Sequence, residues 1–354
     1  VSTTAAQNPP PGAGQGQQRP PSMREVARLA RVSQKTVSRV VNGEPYVSDQ
    51  ARDRVLRAAR ELGFRPNTAA RALLQGRFRR IGVVSLGTAL YGPASLLFAL
   101  ERAASAAGYS FSVVTTLNGR PAGIAEAVES LLNQGVDGIV LSEPIDEGEA
   151  APLDPGVPIL GFGRMPAVTP GTRALVTGAD GVGGGLAATR HLLSQGHTTV
   201  WHVAGPARWW AARDRVEGWR KALQEAGAPE PECIEGDWSP SSGYEAGLRL
   251  ARTPGVTAVF AANDDMAIGV IRGLAEAGLA VPEQVSVVGY DDIPAAAYLS
   301  PPLTTVSQDF DTVAAHGLDL LVHQMENPDA PAPVRGEPPA RLVVRRSGGP
   351  PPRP

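Results

Sequence analysis

Four side chains in one short stretch have the chemistry to read nucleic acid. In MREVARLARVSQKTVSRVVN (23–42), Gln34, Lys35, Ser38 and Arg39 fall on one side of a helical repeat and offer amide, ammonium, hydroxyl and guanidinium groups. Such groups reach base edges and phosphates from a DNA major groove. Val37, Val40 and Val41 lie on the other side. An earlier stripe of Val26, Leu29 and Ala30, with Arg31, Val32 and Ser33 between as a tight turn, completes a helix-turn-helix pattern.

The charge agrees with a reader confined to one end. The 354 residues carry a net charge of -2. Residues 22–80 hold 14 Lys and Arg against five Asp and Glu, a net of about +9 that leaves about -11 elsewhere. The basic segment attracts phosphates in a salt-dependent way, and the acidic remainder is repelled by DNA. A basic face merely solvated by water has the same composition, so charge alone does not decide.

Catalysis finds no support. There is no G-x-S-x-G, no P-loop and no G-x-G-x-x-G; GVGGG (181–185) lacks the third glycine at the required spacing and reads as the start of a tightly packed helix. The five histidines form no metal spacing with Cys233. Asp264 with Asp265, and Asp291 with Asp292, have no neighbouring nucleophile or metal partner. Neither metal nor cofactor is expected. The lone cysteine excludes an internal disulfide framework and favours a reducing, cytoplasmic compartment. No apolar run is long enough to cross a bilayer, and residues 1–21 lack the apolar core of a secretory signal, so no membrane partner is expected.

The elements follow in order. Residues 1–21, rich in Pro, Gly and Gln, read as a disordered tail. Ser48 reads as the N-cap of a third helix carrying Val55, Leu56, Ala59, Leu62 and Phe64, with Gly63 as its stop; it closes a small core with Val26, Leu29, Val37 and Val40. Thr68 to Leu74 reads as a further short helix. From Ile81, the runs IGVVS, YSFSVVT, GIVLS, VPILGF, TTVWHVA, TAVFAA and VSVVGY predict buried parallel strands. Helices are predicted between them at Leu96 to Ala107, Ile124 to Asn133, Leu186 to Gln195, Val216 to Ala226, Tyr244 to Ala251 and Met266 to Ala277. The predicted fold is an all-α head followed by two doubly wound parallel sheets with a ligand cleft at the strand ends. One last strand is expected at Arg341 to Arg345, then a Pro-rich tail over 346–354.

These motifs resemble those of the lactose-repressor (LacI/GalR) family. The resemblance is carried by EVARLARVSQKTVSRVVN, YVSDQARDRV, RPNTAARALL, AGPARWWAARDRVEGW, EGDWSPSSGYEAG, AANDDMAIG, SVVGYDD and SPPLTTVSQDF. It implies a periplasmic-binding-protein-like core in which 81–179 with 310–337 form one subdomain and 180–309 with 338–345 the other, after a head at 22–65 and a hinge at 66–80. It also implies a DNA-binding regulator released from a pseudo-palindromic operator by a sugar, a galactoside first; a ligand acting as corepressor is the alternative. A free-standing sugar-binding protein that never meets DNA is the other rival. It would need export and no basic head, and this sequence has the reverse.

By the same resemblance Gln34, Lys35 and Arg39 read bases, while Ser33, Thr36, Ser38 and Asn42 hold phosphates. Asn67 to Leu74 matches a hinge helix whose leucine, here Leu73, wedges into the minor groove; two such helices must pair, which implies a homodimer. Leu73 as plain linker core is the alternative. For the effector, Arg215, Trp238, Asn263, Asp264, Asp291, Gln308 and Phe310 match sugar-touching positions, and Leu90, Pro93 and Leu96, with Phe162, match an apolar wall. A strand-end Asn-Asp pair also serves as an ordinary helix cap, and Trp238 as partial core. Relatives carry an acid where Gly163 falls and a phenylalanine where Ala179 falls. Trp209 and Trp210 either add stacking or close the rim.

Overall fold

A computed structural model describes residues 19, 21–41, 44–65, 76–116, 123–142, 145–146, 152–331, 333 and 336–353. Asn42 and the expected hinge helix, with Asn67 and Leu73, lie outside the described residues. Residues 1–76 and 77–354 form two separate units.

In the first unit, Ser22 opens helix α1 (Met23–Ala30), its backbone N–H and its hydroxyl both donating to Glu25, at 2.6 and 2.8 Å. Arg31 turns the chain with φ +54°, and Ser33 caps α2 (Gln34–Val41) by accepting from the Thr36 N–H at 3.1 Å. Ser48 caps α3 (Asp49–Leu62), which stops at Gly63 with φ +65°. The core is Val26, Ala27, Ala30, Val37, Val40, Val55 and Ala58. Three expected members are instead exposed: Leu29, Leu56 and Leu62, at 43, 44 and 36 %. Leu29 and Leu56 sit about 100° around their helices from the inward-facing Ala30 and Val55, and small alanines on the inner stripes let the helices close up without them. Leu62 lies at the free end of α3.

The second unit contains two sheets. Strands β1 (Arg80–Ser85), β2 (Ser110–Thr115), β3 (Gly138–Leu141), β4 (Ile159–Phe162) and β5 (Ala174–Thr177) form a parallel sheet in the order β2-β1-β3-β4-β5. Helices α4 (Tyr91–Ala106) and α5 (Gly123–Asn133) flank it. Strands β6 (Trp201–Ala204), β7 (Ile234–Glu235), β8 (Ala258–Ala261), β9 (Ser286–Asp291), β10 (Thr304–Ser307) and β11 (Arg341–Val343) form the other, ordered β11-β10-β9-β8-β6-β7 and antiparallel only at β10/β11. Around it lie α6 (Gly181–Ser194), α7 (Trp210–Ala226), α8 (Pro240–Ala251) and α9 (Asp264–Glu276). A further helix, α10 (Phe310–Glu326), returns to the first sheet, where Gly317 abuts Leu160, Phe162 and Thr177.

Three strands and α10 go beyond the expected elements. β5 is an edge strand with alternate residues exposed, β7 has two residues, and β10 is built on buried Thr304 and Thr305. The Gly- and Pro-rich first turns of α4, α6 and α8 begin earlier than periodicity suggested, and in α6 and α8 Gly185 and Gly243 admit a neighbouring backbone. A Cβ on Gly185 would stand 2.5 Å from the Arg215 carbonyl oxygen, so glycine seats α6 directly on α7.

The Pro-rich segment after Arg345 is tied to the second sheet. Ser347 is fully buried, donates to the Val287 carbonyl at 2.6 Å and accepts from the Thr304 N–H at 2.7 Å; His197 meets the Gly349 carbonyl at 2.9 Å. Backbone groups at a sheet margin recruit this segment regardless of its composition. Ser347→Ala leaves two buried backbone groups without their partner, and we expect a loss of about 1–3 kcal/mol in a urea unfolding titration.

Candidate functional site

The cleft lies where the C-terminal ends of β4, β5, β6, β8 and β9 meet the starts of α4 and α7 and the crossover at Gln308–Phe310. Arg215 is its centre. Its side chain is 9 % exposed, donates to the Ala262 carbonyl, lies 3.5 Å from the Asp291 carboxylate and stands 3.8 Å over the Tyr290 ring. Asp291 also accepts from Gln308 Nε2 at 2.9 Å. Burial pushes its carboxyl up to about 6, against the opposing pull of Arg215 and Gln308.

The aromatic wall is equally fixed. Trp238 stands against Gly205, where any side chain would strike its ring, and meets Trp209 edge-on at 5.7 Å between centroids. Asn263 caps α9 by accepting from the Met266 N–H at 2.9 Å and donates to the Trp238 carbonyl at 3.0 Å. It is therefore both a helix cap and a cleft residue. Trp238, Asp291 and Asp292 have φ of +73°, +108° and +53°. Such backbone costs about 1–3 kcal/mol per residue and persists only where the surroundings enforce it. The indole N–H of Trp238 and Nε of Arg215 are buried with no hydrogen-bond partner among the described residues.

Of the expected effector residues, Leu90, Pro93, Leu96, Phe162, Arg215, Trp238, Asn263, Asp291, Gln308 and Phe310 line this cleft. Asp264 does not. Its carboxylate is fully buried behind β9, accepting from Thr305 Oγ1 at 2.6 Å and from the Ile293 N–H at 2.8 Å, and burial pushes it up to about 7. It locks the β9–β10 turn. Tyr290 and Asp214 line the cleft without having been expected; Tyr290 read only as part of a buried strand, and Asp214 carried no assignment. Trp209 and Trp210 both line the cleft, Trp210 at its rim: Arg164 and Arg213 stand over its ring at 5.3 and 4.6 Å, and Arg213 bridges to Asp146 at 2.8 Å.

In the head, Ser33, Gln34 and Lys35 are exposed and Thr36, Ser38 and Arg39 half-buried along α2. Arg39 lies 3.8 Å from Glu44 in an exposed ion pair. Among the described residues no cluster of His, Cys, Asp or Glu can hold a metal ion, and no helix is long and apolar enough to cross a membrane.

Residues 22–67 match the bacterial regulatory proteins of the lacI family, and residues 189–348 match a periplasmic binding protein-like domain. The lactose operon repressor of Escherichia coli K12 is 34% identical over 308 residues, covering 86% of this chain and 84% of that protein. The chain belongs to the LacI family. A lac repressor dimer bound to operator and an anti-inducer superposes with a TM-score of 0.80 at 31% identity, covering 93% of this chain and 99% of that one. The CelR–cellobiose complex gives 0.67 at 34% identity, covering 93% and 100%. LacI-family membership agrees with the head and core described above and with a regulator in place of an enzyme.

Proposed function

We propose that this LacI-family chain is a cytoplasmic, dimeric repressor that leaves a pseudo-palindromic operator when a carbohydrate enters the cleft. The observation that carries the effector half is Arg215, held by Asp291 and flanked by Trp238, Tyr290 and Trp209 at the cleft. Aromatic faces suit the apolar side of a pyranose, and the fixed charged groups suit its hydroxyls. Relatives whose complexes hold an anti-inducer or cellobiose support a sugar; a galactoside is the first candidate within that class.

In the head, Gln34, Lys35 and Arg39 read bases; Ser33, Thr36, Ser38 and Asn42 hold phosphates; Asn67 and Leu73 engage the minor groove. Division of the core near 179/180 and 309/310 makes the cleft a hinge, so that closing it on sugar moves one subdomain against the other and unpairs the hinge helices. Linkage requires sugar and operator to weaken each other equally, commonly by about 1–3 kcal/mol. Selection from random duplexes should return a pseudo-palindrome, and a sugar from a mono- and disaccharide panel should release it in a gel-retardation assay. No retention at low salt overturns the repressor; tighter retention with sugar overturns induction.

A pH dependence follows from Asp291. Hydroxyls donate to its ionised form, which is lost as pH falls through about 6, so sugar affinity should drop below pH 6 by up to about tenfold per pH unit. Calorimetry between pH 5 and 8 checks this, and Asp291→Asn should flatten the profile.

A further inference from the structure

The cleft continues past Arg215 and Gln308 as two lobes that share these residues, Trp209 and Ala211. The first lobe holds Trp238, Asn263 and Asp291, walled by Leu90, Gly92 and Pro93. The second holds Phe162, Tyr290 and Phe310 with Asp214 and Trp210. Each lobe therefore has its own aromatic surface and its own polar groups, which is what one sugar ring requires.

The floor of the second lobe carries almost no side chains: Gly163, Gly178, Ala179 and Gly181. A Cβ on Gly163, whose φ is +83°, would meet nothing within 4 Å, so the space above it is open, while one on Gly178 would stand 3.0 Å from the Gly163 nitrogen. The far end is closed. Trp210 and Asp214 face the lobe, and Arg164, paired with Asp214 at 3.3 Å, and Arg213 face a separate surface cavity beyond.

We propose that the cleft takes a carbohydrate of two linked rings, one in each lobe, with Arg215 and Gln308 at the junction. This rests on the carbohydrate reading above. A single ring engages the aromatic face and polar groups of one lobe and leaves those of the other without a ligand partner in a closed cleft, so binding should discriminate strongly by length. The Arg164–Trp210–Arg213 stack closes the second lobe against a further ring at that end.

The test is calorimetry on the purified full chain with matched sets: glucose, cellobiose and cellotriose; galactose, lactose and its galactosyl trisaccharide; xylose, xylobiose and xylotriose. Expected is one disaccharide that binds at least tenfold tighter than its monosaccharide and tighter than its trisaccharide. Ala179→Phe should fill the second lobe and Gly92→Phe the first, each collapsing that disaccharide-to-monosaccharide ratio toward one. Gly163→Asn, which Asn tolerates at positive φ, gives an independent narrowing of the second lobe if Ala179→Phe does not fold. Monosaccharides binding as tightly as disaccharides, trisaccharides binding as tightly, or a ratio unmoved by these variants overturns the two-ring site and leaves the carbohydrate reading standing. No binding by any sugar overturns both.

Discussion

Arg215→Ala should abolish effector binding, with affinity falling at least a hundredfold, while operator retention persists and no longer responds to sugar. The guanidinium does three things at once: it donates to the Ala262 carbonyl, pairs with Asp291 at 3.5 Å and covers the Tyr290 ring. Charge-assisted donors to ligand hydroxyls are roughly twice as strong as neutral ones. Removing the cation also strands Asp291, which is 9 % exposed. Breaking a buried pair from one side commonly costs about 3–5 kcal/mol, so the melting temperature should fall too, and by more at pH 8 than at pH 5. The sign follows from the carboxyl: without Arg215 its protonation midpoint rises further, and the neutral form tolerated at low pH is the cheaper one to bury. Arg215→Lys keeps the charge but not the planar fork, and should recover stability more than affinity. Unchanged sugar affinity in Arg215→Ala would remove the residue from the site.

The two-sheet core was legible because seven of its strands are short Val-rich runs, the pattern that parallel strands covered on both faces must have. Strands that violate this were not visible. β10 reads TTVS, and its threonines are buried only because Asp264 and the Arg345 backbone partner their hydroxyls, a fact of tertiary placement. Helix α10 packs on a sheet more than a hundred residues earlier in the chain, so no local signal assigns it there. The head was legible in its caps and turn, Ser48, Gly63 and Arg31–Ser33, whose backbone demands are local.

The cleft was legible where chain order and strand ends converge, as at Arg215, Asn263 and Asp291. Direction was not. Asp264 and Asn263 are adjacent, yet the turn into α9 aims one at the Trp238 loop and the other behind the sheet. Tyr290 and Asp291 are likewise adjacent, and both reach the cleft because Asp291 adopts φ +108°, which breaks the strict alternation of faces that a strand would impose. Trp210 shows the same limit: its role at the rim depends on Arg164 from the other sheet.

Arg39→Ala should cost the dimer roughly 30- to 20,000-fold in operator affinity and almost nothing on random DNA. A bidentate arginine on guanine contributes about 1–3 kcal/mol of discrimination, and two half-sites double it to about 2–6 kcal/mol. The Glu44 carboxylate, 3.8 Å away, competes for the same guanidinium, yet both side chains are more than 40 % exposed. An exposed pair of this kind is worth about 0–1 kcal/mol, less than the guanine contact, so the base wins. The alternative, Arg39 on a phosphate, makes a different prediction: binding would weaken equally on all sequences, and the salt slope would fall by about one per subunit. Fluorescence anisotropy against operator and scrambled duplexes over a salt series separates the two. Loss confined to operator, relaxed preference at one symmetric base pair and an unchanged salt slope assign Arg39 to base reading; uniform loss with a shallower slope assigns it to the backbone. Arg39→Lys discriminates again, because a point charge serves a phosphate but lacks the fork that guanine O6 and N7 require.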